Sequence, residues 1–163
     1  FLVTTTISAD KGIMRKLPRA CPPNENCNMS LNERNILRIA MNDRQDIRVE
    51  DELVKLSEIK SLIKSFVDNN GHSLCDYCEG KQSSASSDHP KDAVISLSHG
   101  ALTKYDLFIS VQDEITKAYY DLRADYTEEK YNKTPDQLTK TELKVVKQAY
   151  PFIVSEVIVI RGD

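Results

Sequence analysis

Apolar residues fall first into short alternating runs and then into stripes at helical spacing. Ile36-Leu37-Arg38-Ile39-Ala40-Met41 has strand propensity with imperfect alternation, and Asp43-Arg44-Gln45-Asp46 reads as a turn. Ile47-Arg48-Val49-Glu50 alternates with period two, so the two runs predict a hairpin. Leu53-Val54 predicts a short third strand. Ser57 is a candidate N-cap for a helix on which Ile59, Leu62, Ile63, Phe66 and Val67 recur along one side. Asn69-Asn70-Gly71 should end that helix, with Gly71 free to turn left-handed.

Residues 71–91 carry no apolar period. Their centre, Gln82-Ser83-Ser84-Ala85-Ser86-Ser87-Asp88, is low in complexity and predicts a mobile loop. Ala93-Val94-Ile95-Ser96-Leu97 predicts a strand. A long helix fits 105–131, with Leu107, Val111, Ile115, Ala118, Tyr119 and Leu122 as its buried stripe. Thr134-Pro135 breaks it. Thr139 and Glu142 form a capping box for a further helix carrying Leu143, Val145, Val146 and Ala149. Phe152-Ile153-Val154 and Val157-Ile158-Val159-Ile160 read as a last strand. The order predicts an α+β fold: a small mixed β-sheet with helices packed on one face, including one long helix. Such a sheet leaves an edge for a partner. The last strand is the best candidate, and a proline at Val157 would delete one backbone donor there.

The N-terminal pattern differs. Phe1-Leu2-Val3-Thr4-Thr5-Thr6-Ile7 is apolar and β-branched, and reads as a short strand or as the last turns of a helix. Residues 8–34 hold Pro18, Pro22, Pro23 and no apolar period, so they read as an extended linker. The ordered domain is expected over 35–163. No stretch reaches the roughly 20 apolar residues of a complete spanning helix.

The 163 residues carry a net charge of −3, with both signs interspersed, which argues against a nucleic-acid partner. There is no glycine-rich phosphate loop and no G-x-S-x-G. The acidic groups Glu50-Asp51-Glu52 and Glu128-Glu129 read as solvated faces, so no enzyme is expected. Four cysteines stand in two close pairs, Cys21 with Cys27 and Cys75 with Cys78. They permit three disulfide pairings, which the sequence does not choose among. The Cys75-Asp76-Tyr77-Cys78 motif follows no strand and precedes no helix pattern, unlike a thioredoxin-type redox site. A zinc set of His72, Cys75, Cys78 and His89, or one using Cys21 and Cys27, is a competing reading.

Several segments in order resemble the ExbD/TolR family, most closely its Bacteroidetes-type ExbD proteins. Residues 1–7 look like the end of that family's transmembrane helix, and Gly12-Ile13-Met14-Arg15-Lys16-Leu17-Pro18 like the segment just beyond the membrane. Tyr105 through Glu114 and Ala118 through Arg123 resemble the family's periplasmic helix. Tyr150-Pro151 with Ile153-Val154-Ser155-Glu156 resembles its final strand. The resemblance implies the periplasmic part of a single-pass inner-membrane subunit in a proton-driven motor, a homodimer working with ExbB-like and TonB-like proteins. It implies no cofactor, and the proton-carrying aspartate is expected upstream of Phe1. Leu17, Pro18, Phe152, Ile153, Val154, Val157 and Ile158 become candidate partner-binding residues. In the oxidising periplasm, Cys75–Cys78 and Cys21–Cys27 are the favoured disulfides, because short loops close often. The alternative is a soluble disulfide- or zinc-stapled periplasmic binding module without motor function.

Overall fold

A computed structural model describes residues 32–159. Residues 1–7, the linker up to residue 31 and Ile160 lie outside the described residues. The domain begins with a single 3-10 turn, Glu33–Asn35, which leads into β1 (Ile36–Met41). β2 (Ile47–Val49) and β3 (Glu52–Val54) follow by tight turns, then α1 (Leu56–Val67) and β4 (Val94–Gly100). The long α2 (Tyr105–Tyr131), α3 (Lys140–Ala149) and β5 (Val154–Val159) come next.

The sheet is mixed, with order β3-β2-β1-β4-β5. The β1–β2 and β2–β3 pairs are antiparallel, whereas β1–β4 and β4–β5 are parallel. Antiparallel neighbours need only a turn. Parallel ones need a crossover, and these carry α1 and then α2 with α3. The fold is therefore α+β with three helices, one of them 27 residues long. Leu37, Ile39 and Met41 on β1, Ile47 and Val49 on β2, and Ile95 and Leu97 on β4 are buried beneath the helices. They meet Ile59, Ile63, Phe66 and Val67 of α1, and Val111, Ile115, Ala118, Tyr119 and Leu122 of α2.

Local chemistry sets the boundaries, and some differ from the sequence expectation. In the β1–β2 turn the organising residue is Asn42, whose side-chain oxygen accepts from Arg44 N–H and Asp46 N–H at 2.9 Å each. α1 is not capped by Ser57, which lies inside its first turn. The Glu58 carboxylate instead reaches back to the Lys55 N–H at 2.7 Å and starts the helix earlier. Gly71 does not take the left-handed turn after α1. Asn70 does, with φ of 56°, a conformation asparagine tolerates. The Thr139–Glu142 capping box forms as expected, with bonds of 2.8 and 3.3 Å. Lys133 also bonds Glu142 at 2.7 Å, and these bonds hold its carboxyl down to about 2.

The largest difference concerns the loop between α1 and β4. Its serine-rich centre is fastened rather than left free. A helix leaves its last carbonyls without intrahelical partners, and here the loop supplies them. Ser87 Oγ donates to the carbonyls of Phe66 and Val67 at 2.7 and 3.2 Å. Gly80 N–H donates to Asp68 O, and Gln82 N–H to Asn69 O. The Asn69 side chain, 2% exposed, donates to Ser83 O and Ser87 O and accepts from Ser83 N–H. Asp88, 3% exposed, is paired with Arg34 at 2.6 Å and exchanges hydrogen bonds with the Asn35 side chain.

Two stability predictions follow from this network. Asn69→Ala strands the buried Ser87 carbonyl and two part-buried backbone groups of Ser83 and should cost about 1–3 kcal/mol, read as a lower urea midpoint at unchanged m-value. Gly80 lies against Asp68 O and Asn69 Cα so closely that a Cβ would overlap both. Gly80→Ala should therefore cost about 1–3 kcal/mol in the same titration, although the position is on a surface loop.

Candidate functional site

β5 forms one edge of the sheet. Its inner side pairs with β4 in the register Ile95↔Val154, Leu97↔Glu156 and His99↔Ile158. The Ile95 N–H donates to Ile153 O at 3.0 Å. In a parallel ladder one residue of the partner strand bonds the two that flank its opposite number, so Ile153, Ser155, Val157 and Val159 turn their backbone groups toward β4. Val154, Glu156 and Ile158 turn theirs outward to the open edge. The donor of Val157 is thus inside the sheet, which corrects the choice of that position for deleting an edge donor. Val157 and Ile158 are 50% and 61% exposed, while Phe152, Ile153 and Val154 are half-buried. Phe152 and Ile153 precede the strand. Phe152 packs edge-on against Tyr119 with centroids 4.9 Å apart.

α2 runs alongside this edge. Gln112 Nε2 donates to Glu156 Oε1 at 2.7 Å, and Arg123 donates to the Tyr150 carbonyl through Nε and Nη2 at 3.0 and 2.8 Å. Burial lowers the guanidinium's pKa. Tyr105, Ile109 and Thr116 lie at helical spacing on the side that carries Gln112, and all are exposed. An additional strand at the β5 edge would run past these side chains.

The turn from α3 into β5 is clamped from three directions. Arg123 takes the Tyr150 carbonyl. The Tyr150 hydroxyl donates to Asp68 Oδ1 at 2.6 Å. Tyr77, from the cysteine loop, donates its hydroxyl to the Ala149 carbonyl at 2.9 Å. Its ring packs edge-on against Tyr126, Tyr150 and His89 at 5.0, 5.5 and 5.8 Å. Burial raises the pKa of Asp68, against the lowering effect of the Tyr150 hydroxyl and the Glu79 N–H. Burial also raises the phenols of Tyr77 and Tyr150, so both remain hydrogen-bond donors. Burial lowers the pKa of His89. A cleft of about 450 Å³ opens beside this cluster, with Lys64, Lys81, Glu79, Asp125 and Glu129 on its rim. Its mixed charges select no ligand class.

Cys75 and Cys78 are joined in a disulfide. Their sulfurs are therefore not free to bind zinc, and His72 instead approaches Asp88 at 3.3 Å. Among the described residues no three His, Cys, Asp or Glu side chains gather as metal ligands. Among the same residues no helix is long and apolar enough to cross a membrane. Leu17, Pro18, Cys21 and Cys27 lie outside the described residues. No local sequence pattern marks Arg123 or Asp68, and Tyr77 is marked only weakly. For Tyr77 that signal is an aromatic residue enclosed by two cysteines.

No family model matches the chain, and no curated protein matches it.

Proposed function

We propose that this chain is the periplasmic, force-transmitting part of an ExbD-like subunit in a proton-driven inner-membrane motor, working with ExbB-like and TonB-like partners. The observation that carries the reading is the open β5 edge with α2 alongside. The segments that resemble the family supply both elements, since Tyr105 through Arg123 form most of α2 and Tyr150 through Glu156 lead into β5. An extended segment of a TonB-like partner would add a strand there, with main-chain bonds giving affinity and alternate side chains giving specificity. Val154, Glu156 and Ile158 would offer the backbone groups, and Tyr105, Ile109 and Thr116 the flanking side chains. A homodimer could use the same edge, so partner and second copy would compete for it. The Cys75–Cys78 disulfide suits an oxidising compartment. It equally suits a disulfide-stapled binding module outside any motor, the second reading.

The test is an NMR titration of the labelled chain with a synthetic TonB-like periplasmic peptide. Shifts should map to 154–159 and to Tyr105, Ile109 and Thr116. Ile158→Pro removes an outward donor and should weaken binding about tenfold, the loss of roughly one hydrogen bond, with little change in thermal stability. Val157→Pro removes a donor of the β4 ladder and should instead lower stability. Shifts confined to surfaces away from β5 would reject the edge, and no binding of the peptide would count against the motor.

A further inference from the structure

The Cys75–Cys78 disulfide encloses only Asp76 and Tyr77, and both flanks of this small ring are fastened independently of it. Upstream, the Asn70 side chain accepts from Cys75 N–H and donates to Cys75 O, each at 3.0 Å. Downstream, Glu79 N–H donates to the Asp68 carboxylate and Gly80 N–H to the Asp68 carbonyl, each at 3.1 Å. These anchors do not need the disulfide. What the disulfide alone constrains is the path of the two enclosed residues, and hence the direction of Tyr77.

Tyr77 carries the hydrogen bond and ring contacts from that ring to other elements of the fold. Its hydroxyl satisfies the Ala149 carbonyl at the end of α3, and its ring packs on Tyr126 of α2 and Tyr150. Ala149 and Tyr150 are the last residues before the chain turns through Pro151 toward β5. The two cysteines differ in burial, since Cys75 is 6% exposed whereas Cys78 is half-buried.

We propose that the Cys75–Cys78 disulfide is a redox-operated latch on the α3–β5 turn. Oxidised, it holds Tyr77 on the Ala149 carbonyl. Reduced by a dithiol, it releases Tyr77, and the β5 edge detaches from β4 more readily. The exchange balances without other reactants. A thiolate of the dithiol attacks the more accessible Cys78 sulfur and expels Cys75 as a thiolate, which takes a proton. The dithiol's second thiolate then attacks its own bridged sulfur and expels Cys78, leaving two protein thiols and one oxidised dithiol. The outer anchors at Asn70 and Asp68 keep the loop attached throughout. The latch is independent of the motor reading, because it concerns only how firmly β5 is held.

Hydrogen exchange of the full 163-residue chain tests this, comparing oxidised protein, protein in dithiothreitol, a Cys75→Ser/Cys78→Ser variant and oxidised Tyr77→Leu. The double variant separates this pair from Cys21 and Cys27. Amides in 149–159 should exchange roughly tenfold faster in the last three samples than in the first, as expected for losing one hydrogen bond and a packed ring. The centre of α2 should be unchanged. Equal exchange in oxidised protein and the double variant would overturn the latch. So would acceleration spread evenly over the sheet and α2, or a Tyr77→Leu protein as protected as the wild type.

Discussion

The carbonyl end of α1 is the constraint on which the second half of the domain depends. A helix that finishes against a core cannot leave its last carbonyls dry and unpaired. Here no short cap serves them. The chain returns through the long loop, and Ser87, Gly80 and Gln82 bring donors to Phe66, Val67, Asp68 and Asn69. A segment that looks like a flexible connector is therefore a helix cap written over many residues. Buried asparagines and aspartate are costly unless bonded, and Asn69, Asp88 and the Asn35 that meets Asp88 from the turn before β1 all have partners.

The same loop couples the two parallel crossovers. The first crossover, β1 to β4, contains α1 and the loop. The second, β4 to β5, contains α2 and α3. Tyr77 passes from the first to the second and meets the carbonyl of Ala149, while the Asp68 carboxylate meets the Tyr150 hydroxyl. Among the described residues, β5 has a neighbour on one side only. Its position therefore rests on the β4 ladder, the contacts of α2 and these few bonds at its entrance. An edge strand held in this way can be both ordered and adjustable.

The elements with apolar periods were legible in the sequence. The stripe of Val111, Ile115, Ala118, Tyr119 and Leu122 gives α2 its full length, and the Thr139–Glu142 pair gives α3 its start. Leu62 and Leu143 fit the period yet stay 36% and 38% exposed, because each helix buries a narrower strip than its pattern allows. The loop was not legible, since serine and asparagine form the same string whether solvated or bonded to a helix end. Nor could the pattern say which alternate residues of β5 turn their N–H groups outward. That parity is fixed by the pairing of Ile95 with Val154, and one residue of slip would reverse it. The role of Tyr77 leaves no local pattern, because its partners, Ala149 and Tyr150, are remote in sequence.

The placement of β4 has a kinetic consequence. β1, β2 and β3 are joined by tight turns and can pair as soon as they collapse. β4 pairs in parallel with β1 across a connection that contains α1 and its capping loop. Non-local parallel pairing of this kind is slow, because chain closure precedes the contacts that reward it. The disulfide does little to shorten that search, since a ring of a few residues removes only about 2 kcal/mol of unfolded-chain freedom. The crossover that must close to bring β4 beside β1 also carries the polar cap on α1, so asparagine and serine share with the hydrophobic core the contacts that reward its closure.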